Sequence, residues 1–130
     1  MAKILVVDDD VDVRTLIEVR LRRIGHRVVS AASGEDALAV VADKGAAELL
    51  VLDVLMPGIS GLELLATLRE DPAFDGVPVI FLSGRVLEGD IAAGRALGAT
   101  YLTKPVVLTA LAAAVETALQ PEAALASGTW

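Results

Sequence analysis

Four fragments of the chain place chemically active side chains directly after an apolar run. Asp8-Asp9 follows Ile4-Leu5-Val6-Val7, and Asp53 follows Leu49-Leu50-Val51-Leu52. Ser83 follows Val79-Ile80-Phe81-Leu82, and Lys104-Pro105 follows Tyr101-Leu102-Thr103. Three carboxylates brought to one pocket repel each other unless some are protonated or a cation sits among them. A site of oxygens only, with no His or Cys, suits a hard cation, and Mg2+ is its natural occupant. A cation so held can neutralise an incoming phosphoryl group, while one carboxylate attacks phosphorus in line to give an acyl phosphate. Lys104 supplies a point charge for a phosphoryl oxygen, and Ser83 a hydroxyl donor.

Each fragment alone has a plainer reading. Asp8-Asp9 reads equally well as helix capping, Asp53 as the start of the Met56-Pro57-Gly58 turn, Ser83 as a turn residue and Lys104 as a solvated strand end. Asp10 reads as an N-cap and Asp12 as a first-turn acid favoured by the helix dipole. The joint placement at successive strand ends favours the chemistry.

Positioning these groups requires a parallel sheet, because only there do successive strands end on one edge, with ligands bound where the strand order reverses. Short apolar runs do alternate with longer amphipathic ones, as βαβ units require. The runs predict strands near 3–8, 27–31, 48–53, 77–82 and 100–103, and helices near 11–24, 34–44, 61–70, 89–97 and 107–119. Val13, Leu16, Ile17, Leu21 and Ile24 repeat at helical spacing, and Gly25 can close that helix in the left-handed region. Ser33 starts the second helix and Gly45 ends it. Ser60 with Glu63 forms a capping box, and Asp71-Pro72 stops the third helix. The predicted helix at 89–97 has few large apolar anchors and reads as the least stable element.

The 130 residues suffice for one domain, placed at 1–120 with a short tail at 121–130. An apolar content of 55% excludes disorder and favours a sheet buried on both faces. No apolar run approaches a membrane span, and Met1-Ala2-Lys3 leads straight into strand-like sequence without a signal peptide. The chain lacks cysteine, which excludes disulfides and thiolate metal sites and is compatible with a cytoplasmic home. A net charge of −7 argues against nucleic acid as a direct ligand.

The same residues resemble the receiver domain of two-component response regulators. The carriers are Ile4-Leu5-Val6-Val7-Asp8-Asp9, Leu52-Asp53-Val54-Leu55-Met56-Pro57 with Gly61, Leu82-Ser83-Gly84, and Lys104-Pro105, in matching order from residue 3 to about 119. The resemblance implies an α/β, flavodoxin-like, doubly wound fold: a five-stranded parallel sheet in the order 2-1-3-4-5 with five helices. It implies Asp53 as phospho-acceptor, and Mg2+ on Asp9, Asp53 and the Leu55 backbone carbonyl, with Asp8 acting through a bound water. Lys104 and Ser83 are the implied phosphate-binding residues, Tyr101 is the implied aromatic switch, and Pro105 follows a cis peptide bond. Read without the resemblance, Tyr101 is an ordinary half-buried strand aromatic. Leu55 and Arg85 fall at positions that tune phosphoryl lifetime in the family. Val106 stands where phenylalanine is common, and Val107-Leu108 replaces a polar cap, leaving the start of the last helix open.

The function implied is a phosphorelay switch, stand-alone and similar to chemotaxis regulators, that catalyses only its own phosphotransfer and autodephosphorylation. Its donor would be a histidine kinase or histidine phosphotransfer protein, and its output a protein effector or a phosphorylation-linked homodimer. Arg14, Arg20, Arg22, Arg23 and Arg27 read as a solvated helix face, or as a surface steering an acidic donor. His26 reads as a surface residue. The alanine-rich last helix reads as neutral filler, or as an output face. Two alternatives stand beside the switch. One is a haloacid-dehalogenase-type phosphohydrolase with Asp8 as nucleophile, and the other is the N-terminal receiver of a larger regulator. An EF-hand reading fails, since Val13 occupies the turn position that needs glycine.

Overall fold

The computed structural model describes residues 2–84 and 99–120. Five parallel strands, β1 (Lys3–Val7), β2 (Arg27–Ala31), β3 (Leu49–Asp53), β4 (Val79–Ser83) and β5 (Ala99–Thr103), form one sheet in the order β2-β1-β3-β4-β5. The described helices are α1 (Val11–Arg23), α2 (Gly34–Lys44), α3 (Gly61–Leu68) and α4 (Leu108–Ala118), with a 3-10 turn at Pro72–Phe74. The helix expected near 89–97 lies outside the described residues, as do Arg85 and the expected tail at 121–130.

Alternation along the strands divides the core in two. Leu5, Val7, Leu50, Leu52 and Phe81 face α2 and α3, where Leu64, Leu65 and Phe74 complete the layer. Ile4, Val6, Leu49, Val51, Ile80 and Leu82 face the other way, onto Ile17 and Leu21 of α1 and Leu111 and Val115 of α4. Covered on both faces, β3 and β4 are buried at every residue, which is why their sequences read as unbroken apolar runs rather than alternating ones.

The helix ends follow local chemistry. Asp10 caps α1, its carboxylate accepting from the Asp12 and Val13 amides. Gly25 follows at φ 99°. The Ser60–Glu63 capping box is present in both directions. Helix α3 stops at Leu68, two residues sooner than expected. The Arg69 guanidinium bonds the carbonyls of Phe74 and Val77, holding the turn that the apolar pattern did not predict.

Two positions of the apolar helical period are exposed: Leu16 on α1 at 58% and Ile24, its C-cap, at 47%. The helix meets one face of the sheet along a stripe narrow enough that only Ile17 and Leu21 are fully covered.

The start of α4 is its weak end. Val107 is the N-cap, extended, 61% exposed and without a side-chain cap hydrogen bond. Val107→Ser should therefore stabilise the protein by about 0.5–2 kcal/mol, read as a raised urea midpoint at unchanged slope.

Candidate functional site

The strand order reverses between β1 and β3, which are neighbours whose crossovers lead to opposite sides. Asp8 follows the last residue of β1, and Asp53 ends β3 beside it, in the register that pairs Val7 with Leu52. One strand further on, Asp53 pairs with Leu82, and Ser83 ends β4 opposite Thr103 of β5. Lys104 is the next residue, and its amide donates to the Ser83 carbonyl at 2.8 Å. The fold thus brings Asp8, Asp9, Asp53, Ser83 and Lys104 to one edge.

Asp8 is fully buried, Asp53 is 4% exposed and Ser83 2%, while Asp9 is open to solvent. Carboxylate oxygens of Asp8, Asp9 and Asp53 lie within 4.8 Å of one another. Lys104 enters from β5, with Nζ 3.0 Å from Asp8 Oδ2 and 3.2 Å from Asp53 Oδ2. Its peptide bond to Pro105 is cis.

Burial is the largest influence on Asp53, and the neighbouring Asp8 charge adds to it; together they outweigh Lys104 and push the carboxyl up to about 7. For Lys104, burial works downward, but hydrogen bonds and charge from Asp8 and Asp53 prevail and raise it above the ordinary lysine value. One ammonium against three carboxylates leaves the cluster negative. An all-oxygen donor set with excess negative charge fits a hard divalent cation.

The loops bearing these acids are tied down locally. Asp8 Oδ1 accepts from the Asp10 amide at 2.9 Å, and Arg14 Nη1 donates to the Asp8 carbonyl at 2.9 Å. Gly61 has to be glycine for packing reasons, since a Cβ there would lie 2.2 Å from the Asp53 carbonyl oxygen. Leu55 follows Asp53 by two residues and is 68% exposed. Tyr101 is half-buried on β5, its ring 5.2 Å from that of Phe81.

Two arginines expected on a solvated face have definite partners. Arg14 reaches the site loop, and Arg22 bonds the Val28 carbonyl at 3.2 Å and lies 3.7 Å from Glu18. His26 is half-buried rather than a free surface residue, its Nδ1 accepting from the Ala2 amide at 3.2 Å. An apolar groove of about 150 Å3 opens beside Lys104, lined by Val13, Leu16 and Ile17 of α1 and by Pro105, Val106 and Leu108. No helix among the described residues is long and apolar enough to cross a membrane.

Comparison with known proteins gives this arrangement its family. Residues 4–116 match the response regulator receiver domain. The chain is 41% identical over 107 residues to the transcriptional regulatory protein AfsQ1 of Streptomyces coelicolor, covering 82% of this chain and 46% of that protein. It is 38% identical over 104 residues to the protein PilG of Pseudomonas aeruginosa, covering 79% and 76%. Among solved structures, the chemotaxis protein CheY4 of Vibrio cholerae superposes with a TM-score of 0.84 at 30% identity, over 92% of this chain and 99% of that one. The receiver domain of the hybrid histidine kinase CckA does so at 0.76 and 37%, over 91% and 99%. The chain spans less than half of AfsQ1 but nearly all of CheY4, and its expected lack of nucleic-acid contact rests on its own charge alone. The haloacid-dehalogenase alternative finds no support in these matches. The chain belongs to the response regulator receiver domain family.

Proposed function

We propose that the chain is a phospho-accepting switch in which Asp53 takes a phosphoryl group from a phosphohistidine of a kinase or phosphotransfer protein. The observation that carries this reading is a carboxylate 4% exposed at the strand-order reversal, flanked by Asp8 and Lys104. Asp53 is the nucleophile: its oxygen forms the new O–P bond as the N–P bond breaks, and the leaving imidazole takes up a proton. Asp9, Asp53 and the Leu55 carbonyl, with Asp8 through a water, would hold Mg2+, which would supply positive charge to the phosphoryl oxygens.

The chain's own side chains do the rest. Lys104 holds one phosphoryl oxygen by charge, and Ser83 donates to another. Engagement of both favours an active state that repositions β5 and Tyr101, so that phosphorylation shifts a population between partner-binding states. Hydrolysis of the acyl phosphate resets it, with exposed Leu55 at the position that tunes phosphoryl lifetime in the family. Through the family, the apolar groove beside α1 is the face offered to the donor's helical hairpin. The site's home is the cytoplasm, where such donors present their phosphohistidine.

Intact-mass analysis after incubation with acetyl phosphate tests this. A gain of one phosphoryl group is expected with Mg2+, strongly reduced in EDTA and absent in Asp53→Ala. A gain that survives Asp53→Ala and vanishes in Asp8→Ala would overturn the assignment.

A further inference from the structure

We propose that Glu35, on the first turn of α2, is a positioning residue that clamps the loop between β3 and α3 and so sets the cation affinity of the acidic pocket. This rests on the cation site of the preceding section and extends it to a helix that supplies none of its ligands.

The loop holds Leu55, whose carbonyl is the cation ligand implied by the family, and is fixed at its ends. The Val54 amide donates to Leu82 at 3.0 Å, and the Gly61 amide to Val54 at 2.9 Å. Between them, Met56 is buried in the core, while Leu55, Pro57 and Gly58 are exposed. Glu35 holds the loop from outside, its Oε1 accepting the Ile59 amide at 3.2 Å.

The surroundings are shaped to that contact. Gly58 adopts φ +78°, and a Cβ added there would meet Glu35 Oε1 at 2.7 Å, so the carboxylate lies against bare backbone. One residue before the acid, Gly34 is buried, and a Cβ on it would lie 2.8 Å from Ile59 Cβ. Two glycines thus allow the first turn of α2 and residues 58–59 to meet closely enough for the hydrogen bond. Hydrogen bonds from its own amide and from Ile59 keep the Glu35 carboxyl below its ordinary range, so it is ionised at neutral pH. A charge-assisted bond to backbone is the stronger kind, and groups that orient a metal's ligands govern affinity without touching the metal.

A simpler role exists: Glu35 is an acid in the first turn of a helix, where the dipole favours negative charge. The two roles separate by chemistry. Glu35→Gln keeps an oxygen acceptor for the Ile59 amide and loses the charge, whereas Glu35→Ala loses both.

The test is calorimetric titration of wild type and each variant of the 130-residue chain with Mg2+ at constant ionic strength, with amide NMR shifts of Gly58 and Ile59 and urea midpoints alongside. Glu35→Ala is expected to weaken Mg2+ binding by about three- to tenfold, move the Ile59 amide, and leave the urea midpoint nearly unchanged. Glu35→Gln should stay within about twofold of wild type, because the acceptor survives. Wild-type affinity in Glu35→Ala would overturn the clamp while leaving the cation site standing. Equal losses in Gln and Ala would overturn it in favour of the dipole. A wild-type protein that binds no Mg2+ would overturn the cation site itself, and the clamp with it.

Discussion

Asp53→Asn will make the metal-free protein more stable than wild type at pH 8, by about 2–4 kcal/mol, and will remove most of the pH dependence of stability between pH 4 and 7. The cause is a carboxyl whose folded-state value is about 7 against 3.8 for an ordinary aspartate. Between those values the folded protein holds a proton at this position that the unfolded chain has released. Stability must then fall as pH rises through the window, by up to about 1.4 kcal/mol per pH unit, and level off above it. Asparagine has no proton to lose and still offers Lys104 an acceptor. Urea denaturation in EDTA at half-unit steps from pH 4 to 8 reads both curves. Added Mg2+ should restore the wild type at pH 8 and do little for Asp53→Asn. Parallel curves for the two proteins in EDTA would contradict the account of the pocket.

The second large effect is expected at Lys104. Its ammonium lies 3.0 Å from the Asp8 carboxylate and 3.2 Å from that of Asp53, and it bridges both. Removing one partner of a buried ion pair leaves the other charge uncompensated, which costs about 3–5 kcal/mol when the charge has no escape. Here Asp53 can escape by taking up a proton, so the cost depends on pH. Lys104→Met should lose about 3 kcal/mol at pH 8 and about 1 kcal/mol near pH 5. The combination of Lys104→Met with Asp53→Asn should lose less at pH 8 than Lys104→Met alone, a coupling that a double-mutant cycle measures. Phosphoryl uptake from acetyl phosphate with Mg2+ should also slow, by about 10²-fold, since a fixed positive charge at the reacting oxygens is gone. Additive stability effects, or an uptake rate equal to wild type, would contradict the role assigned to Lys104.

How far the sequence foretold this site depends on the kind of contact involved. Strand ends were legible because a buried apolar run stops abruptly at a polar residue, and parallel strands must share an edge. Asp8, Asp53, Ser83 and Lys104 therefore converge as expected, though β4 starts at Val79 rather than near 77, just after Pro78. Caps were legible too, as at Asp10 and at Ser60 with Glu63, because residue type and spacing over three positions decide them. At Val107 the absence of a polar cap was equally visible.

Other features left no such mark. Arg14 and Glu35 bond the backbone of Asp8 and Ile59, and a backbone partner has no residue type to signal it. Leu16 fits the apolar period of α1 yet sits 58% exposed in the groove beside Val106, because periodicity marks a face without fixing how wide its covering is. The turn at Pro72–Phe74 depends on Arg69 reaching the carbonyls of Phe74 and Val77, a closure that a surface-looking arginine does not announce.

Borohydride mapping reads out which carboxylate carries the phosphoryl group. Wild-type protein incubated with acetyl phosphate and Mg2+ is treated with borohydride, which reduces an aspartyl phosphate to homoserine, and is then digested for peptide sequencing by mass spectrometry. Homoserine is expected at position 53, dependent on both donor and Mg2+, with Asp8 and Asp9 unaltered. Homoserine at position 8 or 9, with residue 53 still aspartate, would contradict Asp53 as the acceptor.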